Sequence, residues 1–310
     1  MSTELSIRFS CLKTVAALAL LTTVAGVIGI SAAQAAPAAS ARVAAANAEQ
    51  PCAELARFDD DDFPERPRID NAFFPLMPGS QRVLEGTVEG VAHRVTFTVT
   101  DLTKEIDGVE TLVVWDVDES EGEVVESEIA FFAQDQSGNV WNLGEYPEEF
   151  EDGEFVGAPS TWIADEQGAV PGIHMAGSPH VGLPEYLQGF APEIDFLDCA
   201  TVVATGQSVC VPFESTCFDD VLVTHERNPL DPEGGVQSKF HAPGIGIVQI
   251  ASVDPPTGEN LQLVESSQLE GEELQEVRRE ARRLDRRAYR FAEEVYEDTE
   301  PVERLRLRDR

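Results

Sequence analysis

From Phe63 to Glu265, apolar and polar residues alternate in short runs separated by turn-forming residues. Val95, Phe97 and Val99 share one side of a two-residue repeat, and Val113, Trp115 and Val117 share one side of another, as alternate positions of a strand do. Glu89-Gly90, Asp107-Gly108, Ser137-Gly138-Asn139 and Thr205-Gly206 supply turns of the kind that join antiparallel neighbours. The pattern predicts roughly ten or eleven short strands before residue 266. No helical period comes between them, which argues against parallel βαβ units. The expected fold is all-β and antiparallel: a curved sheet or an open barrel or sandwich.

The end of the chain has a different period. Leu274, Val277, Ala281, Leu284, Ala288, Phe291 and Val295 recur at steps of three and four, drawing one apolar stripe along a helix expected over 270–298. Arginines from Arg278 to Arg290 fill its other faces. Two stripe positions are alanine, which is thin for a two-stranded coiled coil. The stripe therefore serves either the chain's own sheet or self-association with a second copy. Residues 299–310 carry no such pattern and are expected to be disordered.

Ahead of the β region, 1–35 reads as a secretory signal, with Arg8 and Lys13 before an apolar run from Thr14 to Ile30 and Ala33-Gln34-Ala35 as a cleavage site. The lead-in 36–62 is Ala-rich and then acidic, and is expected to be disordered. This places the mature β domain, 63–266, in a secreted or periplasmic, extracytoplasmic compartment. No other stretch is apolar enough to span a bilayer. Loss of Cys11 with the signal leaves Cys52, Cys199, Cys210 and Cys217, an even number that predicts two disulfides in one of three connectivities. The close pairs of a zinc site are absent.

Charge narrows the partners. The formal net charge is −35, and no Lys or Arg occurs from Glu105 to Glu226, a balance that repels nucleic acid and anionic lipid. Carboxylates so widely scattered do not by themselves make a calcium cage of about six to eight oxygens. The run Asp59-Asp60-Asp61-Asp62 lacks the spacing of a calcium loop and reads as a solvated linker.

The stretch PGIHMAGSPHVG, 171–182, concentrates His174, Met175 and His180. In an extended chain the two histidines lie about 20 Å apart, so they share a metal only if Gly177-Ser178-Pro179 folds back. No fourth ligand stands nearby, and the stretch is read as a structural crossing loop with no metal. Trp141 and Trp162, beside turns, are the candidate pocket-wall aromatics, and His174, Met175 and His180 complete the set of candidate ligand-binding residues. There is no nucleophile elbow, phosphate loop, dinucleotide fingerprint or H-E-x-x-H, so no catalytic residue and no cofactor is assigned. Ser178 and His180 lack the context of a triad, and carboxylate pairs are too numerous to single one out.

Five runs in order, IDNAFFPLMPGSQRVLEGT, AQDQSGNVWNLGE, PGIHMAGSPHVG, LVTHERNPLDP and KFHAPGIGIV, lie within residues 69 to 264, about two thirds of the chain. They resemble the motifs of an uncharacterised family of exported bacterial β-rich proteins, which read N-x-[YF]-[FL]-P-L-x-P-G, A-Q-D-x-x-G-N-V-W, P-G-I-x-M-P and Y-x-A-P-G-x-G. The resemblance implies an exported β scaffold and no particular reaction. His174 stands where the motif is usually aliphatic and Ala176 where it has proline, departures that weigh against a metal at this loop.

The expected function is a non-enzymatic envelope or extracellular protein that binds a small ligand or a protein partner on its sheet. The alternative is a secreted hydrolase using paired carboxylates. A concave apolar pocket holding close, burial-shifted acids would favour the hydrolase, and a filled core would favour the scaffold.

Overall fold

The structure, a computed structural model, describes residues 52–254 and 258–305. The expected signal peptide, 1–35, the lead-in up to residue 51 and the last five residues lie outside the described residues. The strands, in order, are β1 (Ser80–Val88), β2 (Val91–Ile106), β3 (Val109–Ser120), β4 (Glu123–Gln134), β5 (Val140–Glu151), β6 (Glu154–Gly157), β7 (Trp162–Ile163), β8 (Val170–Met175), β9 (Tyr186–Ala191), β10 (Phe196–Cys210), β11 (Cys217–Arg227), β12 (Val236–Ala242), β13 (Gly246–Asp254), β14 (Asn260–Gln268) and β15 (Glu303–Arg304). Two helices, α1 (Gly271–Phe291) and α2 (Glu293–Tyr296), precede β15.

Every pairing between these strands is antiparallel, as the alternation predicts, but the barrel is closed rather than open. β1 pairs with β2 from Gln81↔Thr98 to Val88↔Val91 and with β14 from Ser80↔Gln268 to Thr87↔Asn260. Twelve strands thus form a ring, β1-β2-β3-β4-β5-β8-β9-β10-β11-β12-β13-β14, while β6 and β7 hang on β5 and β15 on β2. Closure satisfies the backbone groups that an edge would leave unpaired. A sequence periodicity cannot reveal it, because the closing contact joins the first strand to the last.

A ring of about eight strands is filled by its own side chains; twelve enclose more space than that. The chain uses residues 69–78 to stop one end. Asn71 is the pin: its Nδ2 donates to the Gly138 and Ala176 carbonyls at 2.9 and 3.1 Å, and its Oδ1 accepts from the Phe73 and Phe74 amides. Gln134 Oε1 accepts from the Asp70 and Asn71 amides, and the Gly244 amide donates to the Ala72 carbonyl. Gly177 must be glycine here, since a Cβ would stand 2.3 Å from the Ser137 carbonyl oxygen. Four of the five motif runs therefore meet at one end of the barrel, and the plug drives Phe74, 1% exposed, into the lumen.

Outside the ring, α1 lays Val277, Ala281, Leu284 and Ala288 against the outer face of β2 to β5, where Ile129, Phe131 and Tyr146 are fully buried. The apolar stripe is thus occupied by the chain's own barrel. Three ion pairs fasten it: Lys104–Asp285 at 3.2 Å, Arg278–Asp101 at 2.5 Å and Arg287–Glu148 at 2.5 Å. Lys104 Nζ also donates to Tyr289 Oη and the Glu300 carbonyl.

The disulfides are Cys52–Cys199 and Cys210–Cys217. The first ties down the lead-in, whose Ala53 also exchanges backbone hydrogen bonds with Glu185 and Leu187. From Cys52 on, the expected disorder gives way to attachment, because the disulfide and the rings of Phe58 and Phe63, which cover Trp141 at 5.5 and 6.2 Å, supply contacts that composition alone does not reveal. Asp59 to Asp62 are exposed, as a solvated turn should be.

Candidate binding site in the barrel lumen

The strand alternation sends Arg82 and Leu84 of β1, His93, Val95 and Phe97 of β2, and Val114, Asp116 and Asp118 of β3 toward one cavity inside the ring. Glu126, Glu128, Ala130 and Phe132 of β4, Glu145 of β5, His174 of β8 and Lys239 of β12 join them. The cavity measures about 130 Å³, well above what a single water needs.

Its two halves differ. Toward the plugged end the lining is aromatic and aliphatic: Phe74 stacks with Phe97 and Phe132 at 6.1 and 5.4 Å, and His174 packs on Phe74 at 4.3 Å. Arg82 lies over the Phe97 ring at 4.7 Å and donates to the Ile245 carbonyl. Gly246 leaves room for that guanidinium, for a Cβ would stand 2.4 Å from its Nη1. Burial, partly opposed by Asp116, brings Arg82 down to about 10.

Toward the other end the wall is acidic. Asp116 pairs with Glu128 across β3 and β4, and Asp118 with Glu126; directly opposed like charges disfavour such a pairing. Burial, then the fields of Asp118 and Glu126, push the Asp116 carboxyl well above the usual carboxylate range. Its Oδ1 is buried and accepts no hydrogen bond. His93 Nε2 lies 3.5 Å from Asp118.

β11 and β12 stand six places around the twelve-strand ring from β3 and β4, so they form the facing wall. There Lys239 Nζ meets Glu226 Oε2 at 2.6 Å, and Thr224 Oγ1 donates to Glu226 Oε1 at 3.1 Å. Burial alone would raise Glu226, but Lys239 and then His174 hold it down at about 2. Burial keeps His174 and His241 neutral, with values lowered to about 4 and about 3. Among the described residues, no three or more His, Cys, Asp or Glu side chains are arranged to hold a metal ion.

Of the candidates singled out in the sequence, His174 alone lines the cavity. Met175, the next residue, points to the other side of β8 and is fully buried. His180 sits exposed in the following loop, its Nδ1 3.0 Å from the Ser178 carbonyl. Trp141 is buried on the outside, its indole donating to Asp135. Trp162 packs on Phe196 and reaches the cavity only through Glu145, to which its indole donates at 3.2 Å. The set is thus dispersed, and the acids at 116, 118, 126 and 128 were missed. Their signal is phase: they alternate with Val113, Trp115 and Val117, whose apolar side faces out and, at fully buried Val113, belongs to the core shared with α1.

No protein-family model matches the chain, and no curated protein matches it. Two solved structures overlap in part. One, from Bacteroides fragilis, is a candidate exported protein with a YmcC-like fold: 11% identity, 64% of this chain and 100% of that one, TM-score 0.31. The other, a candidate lipoprotein from Parabacteroides distasonis, shows 13% identity over 64% of this chain and 99% of that one, TM-score 0.30. A likeness at this level assigns neither family nor function, so the lumen is read from its own residues.

Proposed function

We propose that the chain is an exported, non-enzymatic binding protein of the family its five motifs resemble, and that its site is the lumen of the barrel. The observation that carries this reading is the cavity itself. A closed barrel plugged at one end holds a concave space walled by aromatic and aliphatic side chains toward the plug and by convergent polar groups beyond it, a cleft suited to a small molecule with apolar and polar parts. Export is supported by the signal-like N-terminus and by two disulfides, which persist in oxidising compartments.

Calorimetric titration of nonan-1-ol into the purified protein and into Ala130→Phe tests the site. Ala130 points into the cavity, so a phenyl ring there should abolish saturable one-to-one binding. Binding that survives the substitution places the site elsewhere.

Asp116 also favours a second reading, a hydrolase, because a carboxyl pushed above the usual carboxylate range by burial and by neighbouring acids suits general acid catalysis. The geometry favours it less. Glycoside hydrolysis needs two carboxyl groups flanking one bond, whereas Asp116, Asp118, Glu126 and Glu128 stand side by side on one wall and the facing Glu226 is paired with Lys239. Turnover of aryl glycosides that both Asp116→Asn and Glu128→Gln abolish would establish the hydrolase instead.

A further inference from the structure

One lateral row of the barrel wall sets two polar groups on either side of an aromatic ring. Arg82 of β1 lies opposite Phe97 of β2, and Phe97 opposite Asp116 of β3, so the three side chains enter the lumen next to one another. The outer two start from backbones about 10 Å apart, two strand spacings. Arg82 is only 5% exposed, yet its guanidinium donates a single hydrogen bond, to the neutral Ile245 carbonyl, and rests on the Phe97 face. Among the described residues it forms no ion pair, and Asp116 reaches it only through its field. On the other side of the ring, Asp116 Oδ1 is buried and accepts no hydrogen bond. A guanidinium has several N–H donors, and buried donors and acceptors left short of partners cost free energy. Two complementary groups thus flank one ring without meeting.

Resting on the reading of the lumen as a binding site, we infer that the ligand carries a neutral carboxamide-type head, an N–H beside a C=O, held between Arg82 and Asp116, and an apolar body that lies on Phe74, Phe97 and Phe132. The head's carbonyl accepts from the Arg82 guanidinium and its N–H donates to the Asp116 carboxylate, so one group completes both. The bond to the Ile245 carbonyl, with Gly246 leaving room for Nη1, fixes the guanidinium before a ligand arrives. A carboxylate head satisfies Arg82 but sets a second anion against Asp116, and an ammonium head satisfies Asp116 but sets a second cation against Arg82. A hydroxyl has one oxygen to reach both sides of the ring, whereas an amide divides the two bonds between two atoms.

Calorimetry at pH 8 tests this with octanamide, octanoate and nonan-1-ol, three probes of matched size that differ in the head. They are titrated into the purified protein and into Asp116→Asn, Arg82→Met and Ala130→Phe, with each variant's fold confirmed by circular dichroism. Octanamide should bind one-to-one and at least about tenfold more tightly than octanoate or nonan-1-ol.

Asp116→Asn is close to isosteric, adds an N–H donor and keeps an acceptor. It should therefore tighten octanoate about tenfold while changing octanamide by less than about threefold. Arg82→Met should bring octanamide down to the level of nonan-1-ol. Octanoate or nonan-1-ol binding as tightly as octanamide, or an octanamide preference that Asp116→Asn or Arg82→Met leaves in place, overturns the inference; nonan-1-ol binding that Ala130→Phe abolishes then leaves the lumen reading standing. Octanamide binding that is indifferent to Ala130→Phe overturns the lumen reading itself, and no saturable binding of any of the three overturns both.

Discussion

The α1–barrel interface and the lumen both bury charge, and they treat it in opposite ways. Under α1 each buried charge meets its counter-charge: Lys104 with Asp285, Arg278 with Asp101, Arg287 with Glu148. What is left over there is the Tyr296 hydroxyl and the second oxygen of Glu148. Inside the ring the acids outnumber the bases and two cross-strand pairs are like-charged. The first arrangement fastens a helix. The second sets like charges directly opposite one another, which by itself disfavours the strand pairing.

Three substitutions can break or sharpen that contrast. The largest effect is expected at Lys104→Met, which strands Asp285, 2% exposed at its side chain, in an apolar interface. Loss of one partner of a buried pair costs about 3–5 kcal/mol, and Lys104→Met with Asp285→Leu should recover most of it. Urea unfolding measures both, and a loss under about 1 kcal/mol would show that the pair is not a lock.

The second concerns acid. His174 and His241 carry native values of about 4 and about 3, below the ordinary 6.5 of the unfolded chain. The unfolded state therefore binds more protons below pH 6.5, so the stability these neutral rings confer is complete above 6.5 and is lost as pH falls through their native values. Glu226, held at about 2, acts in the same direction below the ordinary carboxylate range. His174→Phe keeps the ring contacts with Phe74 and Phe132 and should flatten the decline between pH 6.5 and 4 by about 2 kcal/mol, seen in urea midpoints across that range. An unchanged slope would place the acid sensitivity elsewhere.

The smallest effect has the opposite sign to the first. The Asp116 carboxyl titrates above its unfolded range, so the native state binds the extra proton and its stability falls as pH rises out of the ordinary carboxylate range. Asp116→Asn should raise the melting temperature at pH 8, with about 1 kcal/mol or less from the relieved cross-strand repulsion, and the gain should vanish near pH 4. A loss of stability at pH 8 would mean that Asp116 is already compensated in the fold.

Much of the scaffold was legible along the chain. Alternation at Val95, Phe97 and Val99 gave antiparallel strands, and the three- and four-residue recurrence from Val277 to Ala288 gave the terminal helix. The candidate site was not legible, because alternation identifies the two faces of a strand without saying which is inside. On β3, Val113, Trp115 and Val117 share one phase and Asp116 and Asp118 the other, and the alternation is the same whichever of the two is inside. With α1 packed outside, that apolar phase is the outer one and the acids face the lumen.

The sequence by itself determined what depends on local period, composition and count: antiparallel strands, a final amphipathic helix, four cysteines that pair and an acidic chain. Closure of β1 on β14, the choice of Cys52 for Cys199, the plug at Asn71 and the inward turn of Asp116 were decided only in the tertiary structure. Each joins residues far apart in the chain, and a local pattern carries no information about which distant segment will satisfy a free strand edge or cover an apolar face.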